Sequence, residues 1–193
     1  EHIGENVFVG RGTVNVSTYY DSVAEHIDEP NVNLILKRQF KILMLGNSYT
    51  NDAANCSQGM KESQLFNILQ AMLGEDAEIT LGVLFSGSKT MAWHATQAET
   101  DKRVYSFNVV TSDTGRWRSM GSASAAEGFA WTDWDVISLQ PHHINVSTGE
   151  EMLATPAETD KKFYSVKAAC EFMLDCVANC APYAEVYCYA HWE

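Results

Sequence analysis

Three apolar runs, each cut off by glycine, proline or small polar residues, most constrain what this chain can fold into. They are Lys41-Ile42-Leu43-Met44-Leu45 before Gly46-Asn47-Ser48, Ile79 to Phe85 before Ser86-Gly87-Ser88, and Asp135-Val136-Ile137-Ser138-Leu139-Gln140 before Pro141. Short apolar runs bounded by turn residues read as buried strands, and strands covered on both faces belong to parallel sheets. Ala184 to Tyr189 supplies a fourth run. Helical patterns lie between them. Leu65, Ile68, Leu69 and Met72 recur at helical spacing within 60–73 and predict one apolar face, with Gly74 as terminator. Asp160 to Ala181 predicts the strongest helix, with Phe163, Val166, Cys170, Met173, Leu174 and Val177 as its packing stripe. Strand–helix–strand recurrence predicts an α/β fold with a mostly parallel sheet flanked by helices.

Smaller elements fill the gaps. Val104 to Val110 and Gly115 to Met120 predict an excursion hairpin around Thr111-Ser112-Asp113-Thr114, and Ser122 to Gly128 a short helix. Asn51, Asp52 and Asn55 mark a polar loop after the first strand. Residues 1–37 read differently, as an N-terminal extension or the tail of an upstream module. They hold short extended pieces at Val7-Phe8-Val9, Val14-Asn15-Val16 and Val32 to Leu36, and a helical turn at Tyr19 to His26. Residues 38–193 form the principal domain.

Composition excludes some functions. A formal net charge of −12, with only 13 Lys and Arg and no basic cluster, argues against a protein that tracks phosphates, so no nucleic-acid partner is expected. No stretch approaches eighteen consecutive apolar residues, so no membrane span is expected either. Cys56, Cys170, Cys176, Cys180 and Cys188 are an odd set, read mostly as reduced, buried thiols. Three Asn-x-Ser sites, at Asn15, Asn55 and Asn145, acquire meaning only on a eukaryotic secretory route. The chain begins at Glu1 with no leader in view; its compartment stays open, secreted or cell-envelope locations included, as does its oligomeric state.

In an α/β sheet, ligands bind outside the carboxyl ends of the strands. Three of those ends carry compatible chemistry. Ser48 is the candidate nucleophile. The backbone N–H groups of Ser48 and Gly87, with the side-chain amide of Gln140, are candidate donors to a developing oxyanion, where removing one donor commonly costs roughly 3–4 kcal/mol. Gly87 is expected to permit a close approach or an unusual dihedral.

Lys41 to Thr50, Ser86 to His94 and Trp134 to Gln140, in that order, resemble the SGNH/GDSL hydrolase superfamily, and within it a branch of uncharacterised bacterial domains with Gly-Asn-Ser in place of Gly-Asp-Ser. The likeness covers about Lys41 to Glu193. It implies a three-layer α/β/α sandwich (flavodoxin-like) and ester hydrolysis through an acyl-enzyme, on acetylated carbohydrate or another small ester, without a cofactor. By this resemblance Ser48 is the nucleophile and Gly87 the second-block glycine. Gln140 stands where the superfamily often has asparagine. Asn47 replaces the commoner aspartate and is expected to hydrogen-bond the turn without adding charge. The superfamily takes its acid and base from an Asp-x-x-His block after the last strand. This chain runs Tyr189-Ala190-His191-Trp192-Glu193 there, so the domain is expected to be incomplete at its C-terminus, to receive the missing part from another chain, or to have lost catalysis.

Other residues enter as candidates for lining the site. Asn47, His94, His142 and His143 are assigned to substrate contact. A surrogate-base role for His142 or His143 is a further option. The spacing of the histidines has no metal-ligand signature, so no metal is expected, and a metal-dependent hydrolase using His94, His142 and His143 is a distant alternative. The principal alternative is a noncatalytic carbohydrate-binding or structural module on a hydrolase-like scaffold. Trp117, Trp131 and Trp134 offer faces for sugar rings or for packing. Asp133 and Asp135 raise a paired-carboxylate glycosidase, which the position of Asp135 at the start of its strand disfavours.

Overall fold

The computed structural model describes residues 7–9, 12–14, 38–54, 63–75, 77–142, 144–145, 150–151 and 156–188. In chain order the elements are β1 (Val7–Val9), β2 (Gly12–Val14), β3 (Arg38–Gly46), α1 (Ser48–Ala54), α2 (Gln64–Leu73) and β4 (Ala77–Phe85). There follow α3 (Met91–Glu99), β5 (Tyr105–Thr111), β6 (Arg118–Ala123), α4 (Ala125–Phe129) and β7 (Val136–Leu139). The series closes with β8 (Ile144–Asn145), β9 (Glu150–Glu151), two 3-10 turns at Pro156–Glu158 and Lys161–Phe163, α5 (Val166–Cys180) and β10 (Glu185–Cys188). β1 and β2 pair with each other, as do β8 and β9; the other six strands form one sheet in the order β10-β7-β3-β4-β5-β6.

β10, β7, β3 and β4 run parallel, while β5 and β6 add an antiparallel hairpin beside β4. Counting only the parallel strands in sequence order, the sheet reads 2-1-3-4, the order of flavodoxin-like doubly wound sheets. Its direction of winding reverses between β3 and β7, and the crevice at such a switch point is where ligands bind.

Alternation along β3 builds two cores. Leu43 and Leu45 face a layer made by α3, α4 and α5, where they meet Leu84, Trp93, Phe129, Trp134, Ile137, Leu139 and Met173. Met44 and Ile42 face the other way, toward Phe66, Leu65 and Leu69 of α2 with Ile79, Leu81 and Val83 of β4. The result is a three-layer α/β/α sandwich. Leu43, Leu45, Leu81, Leu84, Ile137 and Leu139 are wholly buried; each contributes about 1.5–3 kcal/mol relative to exposure.

Several expectations are corrected. The polar loop after the first strand is the helix α1 through Ala54; residue 55 lies outside the described residues. The apolar face of α2 is rotated: Phe66 is its buried residue, Leu65 and Leu69 are partly covered, and Ile68 and Met72 stand 56% and 77% exposed. Ser63, whose side chain accepts from Phe66 N–H, caps this helix, and Gly74 ends it at φ +81°. The strong C-terminal helix is interrupted, with a 3-10 turn at Lys161–Phe163 before α5 begins at Val166, and Leu174 is exposed rather than packed. The hairpin is no excursion, because β5 hydrogen-bonds directly to β4. Among the described cysteines, Cys170, Cys176 and Cys180 are only partly buried and Cys188 is exposed, which corrects the expectation of buried thiols. Tyr19 to His26, Val32 to Leu36, Cys56, His143 and His191 lie outside the described residues.

A candidate active site at the switch point

The sheet register brings three of the candidate loops to one level. Gly46 is paired with Phe85 and Leu45 with Leu139, so Ser48, Gly87 and Gln140 follow the ends of neighbouring parallel strands. Ser48 is the first residue of α1 and is exposed, while the adjacent Asn47 is wholly buried.

Asn47 holds the turn in three directions. Its Oδ1 accepts from Tyr49 N–H at 3.1 Å and so caps α1, while its own carbonyl accepts from Asn51 N–H at 3.0 Å. Its Nδ2 donates to the Lys89 carbonyl at 3.2 Å, tying the turn to the loop after β4. Its backbone N–H donates to Gln140 Oε1 at 3.2 Å, tying the turn to the end of β7. Ser86 N–H also donates to the Gly46 carbonyl, and Gln140 N–H to the Leu45 carbonyl. An ionised aspartate at position 47 has no proton for the Lys89 carbonyl, which gives asparagine a physical reason.

Gln140 is wholly buried, and its amide oxygen points at the turn. That oxygen also accepts from Thr50 Oγ1 at 3.1 Å, and Nε2 donates to the carbonyl of Pro141. This differs from the expected orientation, in which the amide nitrogen faces the oxyanion. The turn's buried N–H and hydroxyl both need an acceptor, and Gln140 is the group that supplies it. Gly46 makes the fit possible. A Cβ there would collide with Thr50 Oγ1 and stand 2.8 Å from both Gln140 Cβ and Oε1.

Gly87 is exposed in the turn after β4. The unusual dihedral expected at Gly87 falls instead on Ser88, at φ +56°, and a Cβ on Gly87 would meet only the tip of the Phe85 ring at 3.3 Å. A non-glycine residue held in the left-handed region stores of order 1–3 kcal/mol, and such strain clusters at functional sites.

His94 lies on α3, wholly buried. Its Nδ1 is 3.0 Å from Tyr105 Oη, the two rings stack at 5.5 Å, and Nε2 has no hydrogen-bond partner among the described residues. Burial first, then the charges of Lys89 and His142, push its pKa down to about 3. Burial likewise pushes the Tyr105 phenol up. Both stay neutral, so His94 belongs to the core under the site and not to its surface, which corrects its assignment to substrate contact. His142 is half-buried after β7, its ring centroid 6.3 Å from that of Tyr49. Among the described residues no three His, Cys, Asp or Glu side chains converge as a metal-binding group.

Glu158 accepts from Lys89 Nζ at 3.0 Å and from Trp93 Nε1 at 3.2 Å, with Lys89 Nζ 4.8 Å above the Trp93 ring. Hydrogen bonds and charge from Lys89 hold the exposed Glu158 carboxyl below its usual range. The Lys89 carbonyl meanwhile holds Asn47. The segment at Pro156–Glu158 is thus clipped to the loop that carries Gly87. No local pattern in the sequence announces a pair 69 residues apart.

The three tryptophans separate. Trp134 is buried and Trp131 is 41% exposed on the layer of α3, α4 and α5, while Trp117 packs on the opposite core. Asp135 Oδ2 accepts from Lys41 N–H at 2.8 Å, at the start of the strands and away from Ser48. No helix among the described residues is long and apolar enough to cross a membrane.

No family model matches the chain, and no curated protein does. Among solved structures, the chain is similar to a DUF4886 family protein from Bacteroides uniformis at 16% identity and a TM-score of 0.46, over 77% of this chain and 66% of that one. The chain therefore spans just under two thirds of that protein's length.

Proposed function

We propose that this domain is a serine ester hydrolase of SGNH type, acting on a small ester such as an acetylated carbohydrate through an acyl-enzyme. One observation carries the reading: an exposed serine begins a helix at the switch point, on a turn stitched to both neighbouring strands. Ser48 Oγ attacks the ester carbonyl, and its proton passes to a base. The tetrahedral oxyanion is met by Ser48 N–H and Gly87 N–H, collapses and expels the alcohol with a proton from that base. Water then hydrolyses the acyl-serine. Gln140 enters as a positioning residue, because its oxygen holds the Asn47 amide. Of the two described histidines, His94 is unsuited as base, being wholly buried, bonded to Tyr105 and neutral down to about pH 3. His142, half-buried beside Tyr49, is the one assigned to take the proton.

The test is trapping with a fluorophosphonate and turnover of p-nitrophenyl acetate. Ser48→Ala is expected to abolish labelling and lower kcat by at least about 10³-fold. Unchanged turnover in Ser48→Ala overturns the reading. His142→Ala is expected to lower kcat; full activity in that variant moves the base to another residue.

A noncatalytic carbohydrate-binding module is the second reading. It is favoured by the orientation of Gln140, which leaves one oxyanion donor fewer than expected. Absence of any trapped acyl- or phosphonyl-serine in the folded protein decides for it.

A further inference from the structure

At the opposite end of the sheet from Ser48, an open cavity of about 310 Å³ is lined by Gln39, Lys41, Glu78, Thr80, Trp131 and Thr132. Lys41 and Gly46 are five residues apart on β3, about 16 Å of extended strand, and Ser48 lies beyond. The cavity is therefore separate from the reaction surface.

Its aromatic wall is built by the fold. Gly82 leaves room for Trp134, since a Cβ there would stand 2.7 Å from the indole. Trp134 is anchored by Nε1–H donating to the Gly128 carbonyl at 2.9 Å. Trp131 stacks on Trp134 at 5.6 Å and 28°, and meets Phe107 edge-on at 5.6 Å. Yet Trp131 remains 41% exposed. A large apolar ring fixed in this way and left partly wet offers a rigid contact at small entropic cost.

The rest of the lining is polar and of mixed kind. Gln39 and the two threonines both donate and accept, Lys41 donates, and Glu78 accepts. Lys41 Nζ donates to Thr132 Oγ1 at 3.2 Å, which pins one wall. Positive and negative side chains stand on neighbouring strands, because Gln39 pairs with Glu78 and Lys41 with Thr80. Neither sign of ligand is favoured. An aromatic plane ringed by two-way hydrogen-bonding groups matches a pyranose, whose C–H face is apolar and whose hydroxyls both donate and accept. The volume sits at the lower end of small-molecule sites, enough for one or two sugar rings.

From this juxtaposition we infer that the cavity beside Trp131 is a noncatalytic binding site for a neutral pyranosyl unit of an oligosaccharide. It stands whether or not Ser48 is catalytic.

The test is saturation-transfer NMR on the whole chain with cellotriose and with xylotriose at about 20 mM, ample for millimolar affinity. Signal transfer to the ring protons of either sugar is expected in the wild type and, unchanged, in Ser48→Ala. Trp131→Ala should weaken binding about tenfold or more, near 1.4 kcal/mol. Glu78→Ala, at an exposed strand position that leaves the core intact, should weaken it severalfold. The inference is overturned by silence from both sugars, by binding that survives both lining substitutions, or by binding lost in Ser48→Ala. The last result would place the sugar at the reaction surface instead.

Discussion

The candidate site depends on a few atoms of Gly46, Asn47 and Gln140. Asn47→Asp removes the proton given to Lys89 and sets a buried carboxylate against a carbonyl, so it is expected to cost about 1–3 kcal/mol in urea unfolding. Gly46→Ala forces Thr50 and Gln140 apart and is expected to cost a similar amount, about 1–3 kcal/mol. On the proposed esterase reading, kcat in both variants should fall more than KM rises, since Ser48 is displaced while the cleft remains. Unchanged stability in Asn47→Asp would mean that Lys89 has another donor. The places of Gly46, Asn47 and Ser48 were legible in the sequence, because an apolar run followed by a small polar turn says where a strand ends; the substrate contact assigned to Asn47 is corrected, since its side chain is wholly buried and spent on the turn. The direction of the Gln140 amide was not legible. Asparagine or glutamine at a strand end supplies both a donor and an acceptor, and only the neighbouring turn, with its unsatisfied N–H, decides which is used. The same holds for Gly87, where composition suggested strain and the backbone put it on Ser88.

Among the elements, β3, β4 and β7 were visible as apolar runs, since strands covered on both faces cannot hide their composition; β10 was visible as a run too, although it is a largely exposed edge strand. α3 was not recognised. Met91, Ala92, Trp93, His94, Ala95 and Gln97 are all buried, so this helix has no polar stripe and no amphipathic period to read. Thr90, whose side chain accepts from Trp93 N–H, is the one local signal of its start. The buried His94 on this helix makes stability depend on pH. Its folded pKa, about 3, lies below its unfolded value of 6.5, so the unfolded chain binds the proton first. Its contribution is therefore fully present above pH 6.5 and declines toward pH 3, by about 1.4 kcal/mol per unit. Replacing it, as in His94→Gln, should make the unfolding free energy fall less steeply with acid across that window. Equal slopes for the two proteins would show that the imidazole is reached by water in the folded state. α2 teaches the converse lesson. Its period was read correctly, but the buried side is set by where Met44 and the β4 residues leave room for Phe66.

At the scale of the molecule, the layered architecture followed from the alternation of strands and helices, but the antiparallel extension of the sheet through β5 and β6 did not. A hairpin carries the same pattern whether it projects or joins an edge. The net charge of −12 makes self-repulsion a property of the whole surface. Raising sodium chloride from about 10 mM to about 0.5 M, which shortens the screening length severalfold, should therefore raise Tm. A fall would mean that attractive pairs such as Lys89–Glu158 outweigh the repulsion. The bond from Asn47 N–H to Gln140 Oε1 joins residues 93 positions apart, and this has a consequence in time. A ribosome adding about 5–20 residues per second needs about 5–20 s to travel from one to the other. During that interval the emerging chain can present Ser48 but cannot seal the turn that carries it. Ser48 is synthesised early, and its turn becomes fixed in place only after the third parallel strand has left the ribosome.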